Sequence, residues 1–354
     1  MASIGVYGAT GYTGRFVAAQ LAARGHHVVL GGRDAVRLRD VATTLSDQCE
    51  VQAARIDDDA ALLRFAQRCA VVINCAGPFS EYGRPVVVAA ITAGTHYLDH
   101  TSQAAYLHQL MREQDTAARR SGVVVIGAMS FFTSLADLIV YRLATEQASL
   151  RKVAVAYAVE GWRMTPGSLA TGAVKTERLV HRDGALQVLA PRARVTLGEY
   201  VFPPPIGVQQ VITEYTATCE SVTVPRHTVT DAVEVYMTAA TFAGSGLALG
   251  VRSASEALDG DAPMRFTIVV DVQGDADQRR AWVSGVGDIY ELGALISVRA
   301  AERLSAGKVS AAGVLSPAEA FGESDLLDAL LRTDFLRGGL HQERHDANSN
   351  RSTQ

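Results

Sequence analysis

The stretch YGATGYTGRF, residues 7–16, sets glycines at positions 8, 11 and 14. A short apolar run, SIGVY, precedes it, and TGRFVAAQLAARG, with helical spacing, follows and ends at Gly25. A buried strand, a glycine-rich turn and a helix in that order leave few folds open. In such a unit the first glycine permits the tight turn. The second presents no Cβ to an approaching phosphate, and the third lets the helix lie close on the sheet. The helix N-terminus adds free N–H groups and the positive end of its dipole. The spacing is GxxGxxG rather than GxGxxG. Gly8, Ala9, Thr10, Gly11, Tyr12, Thr13 and Gly14 are read together as a turn for a dinucleotide pyrophosphate.

The first 150 residues continue the alternation. Strand-like runs at HHVVLGG, EVQAARI, AVVINCAG, THYLD and VVVIG are separated by helical segments. That alternation predicts a doubly wound parallel sheet covered on both faces. After Leu150 the pattern becomes KVAVAYAVEGW, TVTDAVEVYMT, RFTIVVDVQ and RRAWVSGVGDIY, alternating apolar and polar as antiparallel strands do. Helices are expected at 167–181, 238–258 and 289–306, with breaks at FPPPIG and LDGDAP. The fold class is therefore α/β, with a second α+β domain carrying a mainly antiparallel sheet. The expected domains are 1–150 for the nucleotide, 151–312 for substrate and dimerisation, helices over 313–340, and a polar, disordered tail from 341 to 354.

The second strand ends in GGRD. A domain for NAD usually has an acid there, bound to the ribose 2′-hydroxyl. Here Gly31, Gly32 and Arg33 occupy the tip, and a guanidinium suits a 2′-phosphate. The expected cofactor is NADP, with Asp34 capping the next helix. Asp57, in the acidic run after the third strand, is placed with the cofactor-binding residues. So are Asn74, Cys75, Ala76, Gly77, Pro78 and Phe79, at the carboxyl end of the fourth strand near the switch point. Cys75 has no evident histidine base and reads as a small buried residue rather than a nucleophile.

The net charge of −4 gives no basic face for nucleic acid. No apolar run reaches the roughly 20 residues that span a bilayer. Four cysteines without paired or metal spacing fit a reducing cytoplasm, and no signal peptide precedes the first strand. No tyrosine has a lysine four residues on, which removes the short-chain dehydrogenase pattern.

GATGYTGRFVAAQLAARG, GGRD and VVINCAGPFSEYGRPVVVAAITAGTHYLDHTS together resemble the saccharopine dehydrogenase-like oxidoreductases, which include saccharopine reductase and trans-acting enoyl reductases. The resemblance covers about residues 1–140. It implies a Rossmann domain, an α+β second domain, C-terminal helices packing back on the first domain, NADPH, a small-molecule substrate and often a homodimer. The implied reaction is reduction of a C=N or C=C bond, with hydride delivered from nicotinamide in the cleft between domains. The chain departs from the pattern at His100, Thr101 and Ser102, and again in GAMSFFTSLAD, which keeps Gly127 and Asp137 but lacks the proline. The substrate is therefore not carried over. The rival reading is an NADP-binding redox sensor or scaffold without turnover.

The candidates for chemistry cluster in THYLDHTS. Tyr97 is read as a proton donor and Asp99 as a group for a substrate amine or an active-site loop. His96 and His100 flank them in a strand and turn, which is not a metal-binding geometry, and no metal is expected. Asp137 reads as a helix cap.

Overall fold

The computed structural model describes residues 3–45, 49–145, 147–190, 195–242, 263–275 and 277–346. In chain order the elements are β1 (Ser3–Tyr7), α1 (Tyr12–Ala23), β2 (His27–Gly32), α2 (Ala35–Ala42), β3 (Cys49–Ala53), α3 (Asp59–Ala66), β4 (Val71–Asn74), α4 (Phe79–Ala93), β5 (His96–Asp99), α5 (Ala104–Arg120), β6 (Val124–Ile126) and α6 (Ser134–Ala144). Then come β7 (Lys152–Glu160), α7 (Pro166–Ala173), β8 (Arg178–Arg182), β9 (Ala185–Leu189), β10 (Thr196–Val201), β11 (Val208–Thr213), α8 (Glu220–Thr223), β12 (Val233–Thr238), β13 (Arg265–Gln273) and β14 (Asp277–Val286). The last are α9 (Ile289–Ser305), β15 (Gly313–Leu315), α10 (Pro317–Phe321), α11 (Leu326–Leu331) and β16 (Leu336–Asp346).

The chain divides into two interleaved units. The first comprises Met1–Ser134, Thr165–Thr176 and Ile289–Leu326. Its sheet has the order β15-β6-β5-β4-β1-β2-β3, and every pairing is parallel. β1, β2 and β4 are apolar on both sides and almost wholly buried, as strands between two helical layers must be. The order reverses between β1 and β4, which makes the switch point at their carboxyl ends. α9 lies along α1 and crosses β4 and β5. Gln20 Nε2 donates to the Glu291 carbonyl at 3.2 Å, and His26 Nε2 lies 3.2 Å from Glu302 Oε1.

The second unit comprises Leu135–Met164, Glu177–Asp288 and Leu327–Gln354. Its sheet runs β10-β11-β12-β7-β13-β14-β16, with β8 and β9 attached beside β12. β7 and β12 pair in parallel; the other pairings are antiparallel. This is the mainly antiparallel sheet that the alternating segments predict.

Several expected boundaries move. The stretches 165–176 and 289–312 go with the first unit, and 135–150 with the second. The helix expected over 167–181 stops at Ala173, and RLVHR pairs as β8 because its alternation suits a ladder. Of the helix expected over 238–258, the described part is a single 3-10 turn at Ala239–Phe242; 243–262, with LDGDAP, lies outside the described residues. α10 and α11 supply the helices expected after 313, but Leu336–Asp346 is a strand along β14 rather than helix and disordered tail. An edge strand needs ladder hydrogen bonds and few apolar side chains, so its polar composition conceals it. His341 stacks on Trp282, with ring centroids 5.1 Å apart. The rest of the expected tail, 347–354, lies outside the described residues.

Candidate functional site: the carboxyl edge of the parallel sheet

The chain leaves β1 through Gly8, whose φ is +81°, a conformation glycine adopts without strain. The turn is closed by Gly8 N donating to the Gly31 carbonyl at 2.9 Å and Gly11 N to the Gly8 carbonyl at 3.0 Å. A Cβ on Gly8 would come within 2.9 Å of Ala76 N, so the turn rests on the loop after β4. A Cβ on Gly14 would run into the Gly8 carbonyl oxygen and stand 2.9 Å from Ala9 Cα. Its absence lets α1 sit close to the strand.

Gly11 differs. Its φ of −75° suits any residue, and a Cβ would meet only the Gly8 carbonyl oxygen, at 3.2 Å. It faces solvent, so the space it leaves open is outside the fold. Ala9 is buried and spends its N–H on Gly31; it shapes the turn. No side chain caps α1, and no acid stands in its first turn. The positive end of the α1 dipole therefore carries neither a side-chain cap nor a first-turn carboxylate, which suits an anion.

At the tip of β2, Arg33 is exposed and forms no hydrogen bond or ion pair with a described residue. Asp34 is committed elsewhere: its carboxylate accepts from Val36 N at 3.0 Å and Arg37 N at 3.1 Å, capping α2. Nearby, Tyr7 donates to the Ala54 carbonyl at 3.0 Å. Burial pushes its phenol up to about 12; the Arg33 charge opposes this, Asp57 adds to it, and Arg55 opposes it. All three charged groups thus act on one point of the edge. Asp57 is exposed and holds Arg55 in a two-pronged pair at 3.0 and 3.1 Å. Arg55 was legible only as the base that opens the RIDDD run.

The loop after β4 is held from inside. Asn74 is fully buried. Its Oδ1 accepts from Ala76 N at 2.9 Å and its Nδ2 donates to Tyr97 Oη at 3.0 Å. Both bonds shape the loop. Cys75 keeps partial exposure; burial of its thiol, with the nearby Asp99 charge, holds the thiol well above its ordinary value, which disfavours the thiolate. Pro78 and Phe79 are buried; Ala76 and Gly77 keep partial exposure.

Tyr97 and Asp99 both have no accessible surface. In this arrangement their polar atoms meet partners within the fold rather than solvent. Asp99 accepts four hydrogen bonds. They come from Thr101 N at 2.9 Å, Ala128 N at 3.1 Å, Tyr97 Oη at 3.1 Å and Tyr106 Oη at 3.2 Å. Burial raises its carboxyl to about 6 against the opposing pull of those donors. His96 Nδ1 accepts from Val124 N at 3.1 Å. His100 lies 3.0 Å from Ser297 Oγ, and burial lowers it to about 4, so its ring is neutral at pH 7. Asp137 stands in the first turn of α6, buried in the second unit, and lies 3.0 Å from His227 Nε2. Among the described residues no cluster of His, Cys, Asp and Glu has the arrangement of a metal site.

A segment that sequence reasoning did not place here also reaches the edge. Thr165 caps α7 by accepting from Ser168 N. Tyr290 Oη accepts from Thr165 N at 3.3 Å and lies 2.8 Å from Ser168 Oγ. Its ring stands edge-on to Tyr12, with centroids 5.6 Å apart. Thr171 Oγ1 would be 3.2 Å from a Cβ on Gly77. The available signal was TPGSL, a threonine cap with proline at the first helical position.

Residues 4–126 match the family described as the saccharopine dehydrogenase NADP binding domain. A saccharopine dehydrogenase-like oxidoreductase of Bos taurus is 31% identical over 150 residues, 38% of this chain and 35% of the relative. A trans-acting enoyl reductase of Mycobacterium bovis is 33% identical over 143 residues, 39% of this chain and 34% of the relative. The aligned part thus spans about a third of the length of these relatives. Among solved structures, the saccharopine dehydrogenase (L-Glu forming) of Saccharomyces cerevisiae superposes with a TM-score of 0.65, over 98% of this chain and 100% of that one, at 11% identity. That likeness is one of fold. No helix among the described residues is long and apolar enough to cross a membrane.

Proposed function

We propose that this chain, whose residues 4–126 form an NADP-binding domain of the saccharopine dehydrogenase type, is an NADPH-dependent oxidoreductase that reduces a C=N or C=C bond of a small metabolite. The observation that carries the cofactor assignment is an α1 N-terminus with no side-chain cap and no first-turn acid, beside an exposed Arg33 at the next strand tip that pairs with no described residue. In this reading the Gly11–Gly14 backbone holds the pyrophosphate and Arg33 the 2′-phosphate. Ala76 and Gly77 border the nicotinamide half. Bound NADPH supplies a hydride; the chain's own groups bind and orient it and exclude water. The two bond classes come from the names of the relatives, reductase of enoyl groups and saccharopine dehydrogenase-like.

The test is calorimetric titration with NADPH and NADH, followed by NADPH consumption across a panel of imines and enoyl thioesters. Tight NADPH binding with turnover on one class supports the reading. Binding without turnover on either favours the sensor or scaffold. No binding of NADPH overturns both. Residence in the cytoplasm and a homodimer belong to the same proposal and rest on the family likeness. Light scattering that gives a monomer mass at all micromolar concentrations refutes the dimer.

A further inference from the structure

The loop bearing Ala76 and Gly77 is held by a chain of buried hydrogen bonds that ends on one carboxylate. Ala76 N donates to Asn74 Oδ1, Asn74 Nδ2 donates to Tyr97 Oη, and Tyr97 Oη donates to Asp99 Oδ2, at 2.9, 3.0 and 3.1 Å. All three side chains are inaccessible to solvent. The other oxygen of the same carboxylate accepts from Ala128 N, and the Asp99 carbonyl accepts from Met129 N at 2.7 Å. Ala128 has φ +58°, a conformation a non-glycine residue keeps only when its surroundings enforce it. One residue therefore fixes two loops on the carboxyl edge of the sheet.

We propose that Tyr97 is a positioning residue for the cofactor, transmitting the anchorage of Asp99 through Asn74 to the Ala76–Gly77 backbone. This rests on the NADPH reading of the edge. Buried donors and acceptors hold one geometry because any slip leaves a group unpaired. Tyr97 cannot swing away, since its hydroxyl both accepts from Asn74 and donates to Asp99. Tyr106 supplies an internal comparison. It too is buried and donates to Asp99 Oδ2, and its hydroxyl neighbours that of Tyr97 and packs against Gly83 of α4, but it is Tyr97 alone of the two that bonds Asn74.

Tyr97→Phe and Tyr106→Phe each delete one hydroxyl on the same carboxylate oxygen and keep the ring. Both lower the melting temperature. Tyr97→Phe should in addition raise the NADPH Kd about tenfold, while Tyr106→Phe changes it less than about twofold. Without cofactor, exchange of the Ala76 amide should quicken about tenfold in Tyr97→Phe and stay unchanged in Tyr106→Phe. If Tyr97→Phe does not fold, Asn74→Ser, which keeps an acceptor near Ala76 N but does not reach Tyr97, carries the same comparison. Equal Kd values and equal Ala76 exchange in the two tyrosine variants overturn the proposal and leave the NADPH reading standing. Failure of the unmodified protein to bind NADPH overturns both.

Discussion

At the scale of single residues, the three glycines of the turn separate into two kinds. Gly14 faces the Gly8 carbonyl, so Gly14→Ala forces backbone apart and should cost about 1–3 kcal/mol of stability, read as a lower denaturant midpoint. Gly11 faces outward and its Cβ would meet only the Gly8 carbonyl oxygen, at 3.2 Å, so Gly11→Val should lower that midpoint less than Gly14→Ala does and weaken NADPH at least about tenfold. Calorimetry and denaturation on the two variants check the division. Arg33 is the other decisive side chain. A charge-assisted contact to phosphate contributes roughly 1.5–3 kcal/mol. Arg33→Ala should therefore remove one to two decades of preference for NADPH while leaving NADH affinity nearly unchanged, and a variant that still prefers NADPH would misplace the ribose site. Asp99 carries a pH signature. Its folded carboxyl sits at about 6, above the unfolded value near 4. The native state thus holds the extra proton, and this contribution is full below about pH 4 and lost as pH rises through about 6. Its size is on the order of 3 kcal/mol. Urea melts of the protein and of Asp99→Asn across pH 4–7 should differ most steeply in that window, and a difference flat with pH would contradict the assignment.

At the scale of elements, α2 tests whether Asp34 belongs to its helix or to the cofactor. Because both its hydrogen bonds go to Val36 N and Arg37 N, Asp34→Ala should cost about 1 kcal/mol of stability with the NADPH to NADH ratio of affinities unchanged. A shifted ratio would return Asp34 to the ribose. The cap, the glycine turn and the strand tip were legible because each is a local pattern whose physics lies within a few residues. Asp99 was legible only in part: holding a loop was one of its readings, but its donors were not visible, since only the fold brings Tyr106 and Ala128 to it. The same limit hid α7 at the edge, since its hydroxyl and small side chains carry little apolar periodicity. β16 escaped for the opposite reason, being an edge strand whose ladder bonds require no apolar pattern.

At the scale of the whole molecule, the two units are sewn from alternating stretches of chain, so sequence order is a poor guide to where one ends. A fragment of residues 1–150 lacks α9 and β15, which belong to the first unit's own packing. Expressed alone it should lose its near-UV dichroism and aggregate; a monomeric fragment with a cooperative melt would show that these late segments are dispensable. The seventh strand has a further consequence during synthesis. Until β15 emerges, β6 is the bare border of the parallel sheet, an apolar edge open to wrong pairing. Residue 313 leaves the ribosome well after residue 126, roughly 10–40 s later at 5–20 residues per second. For that interval the nascent chain should be a client of holding chaperones, and its yield should depend on translation speed through the second unit.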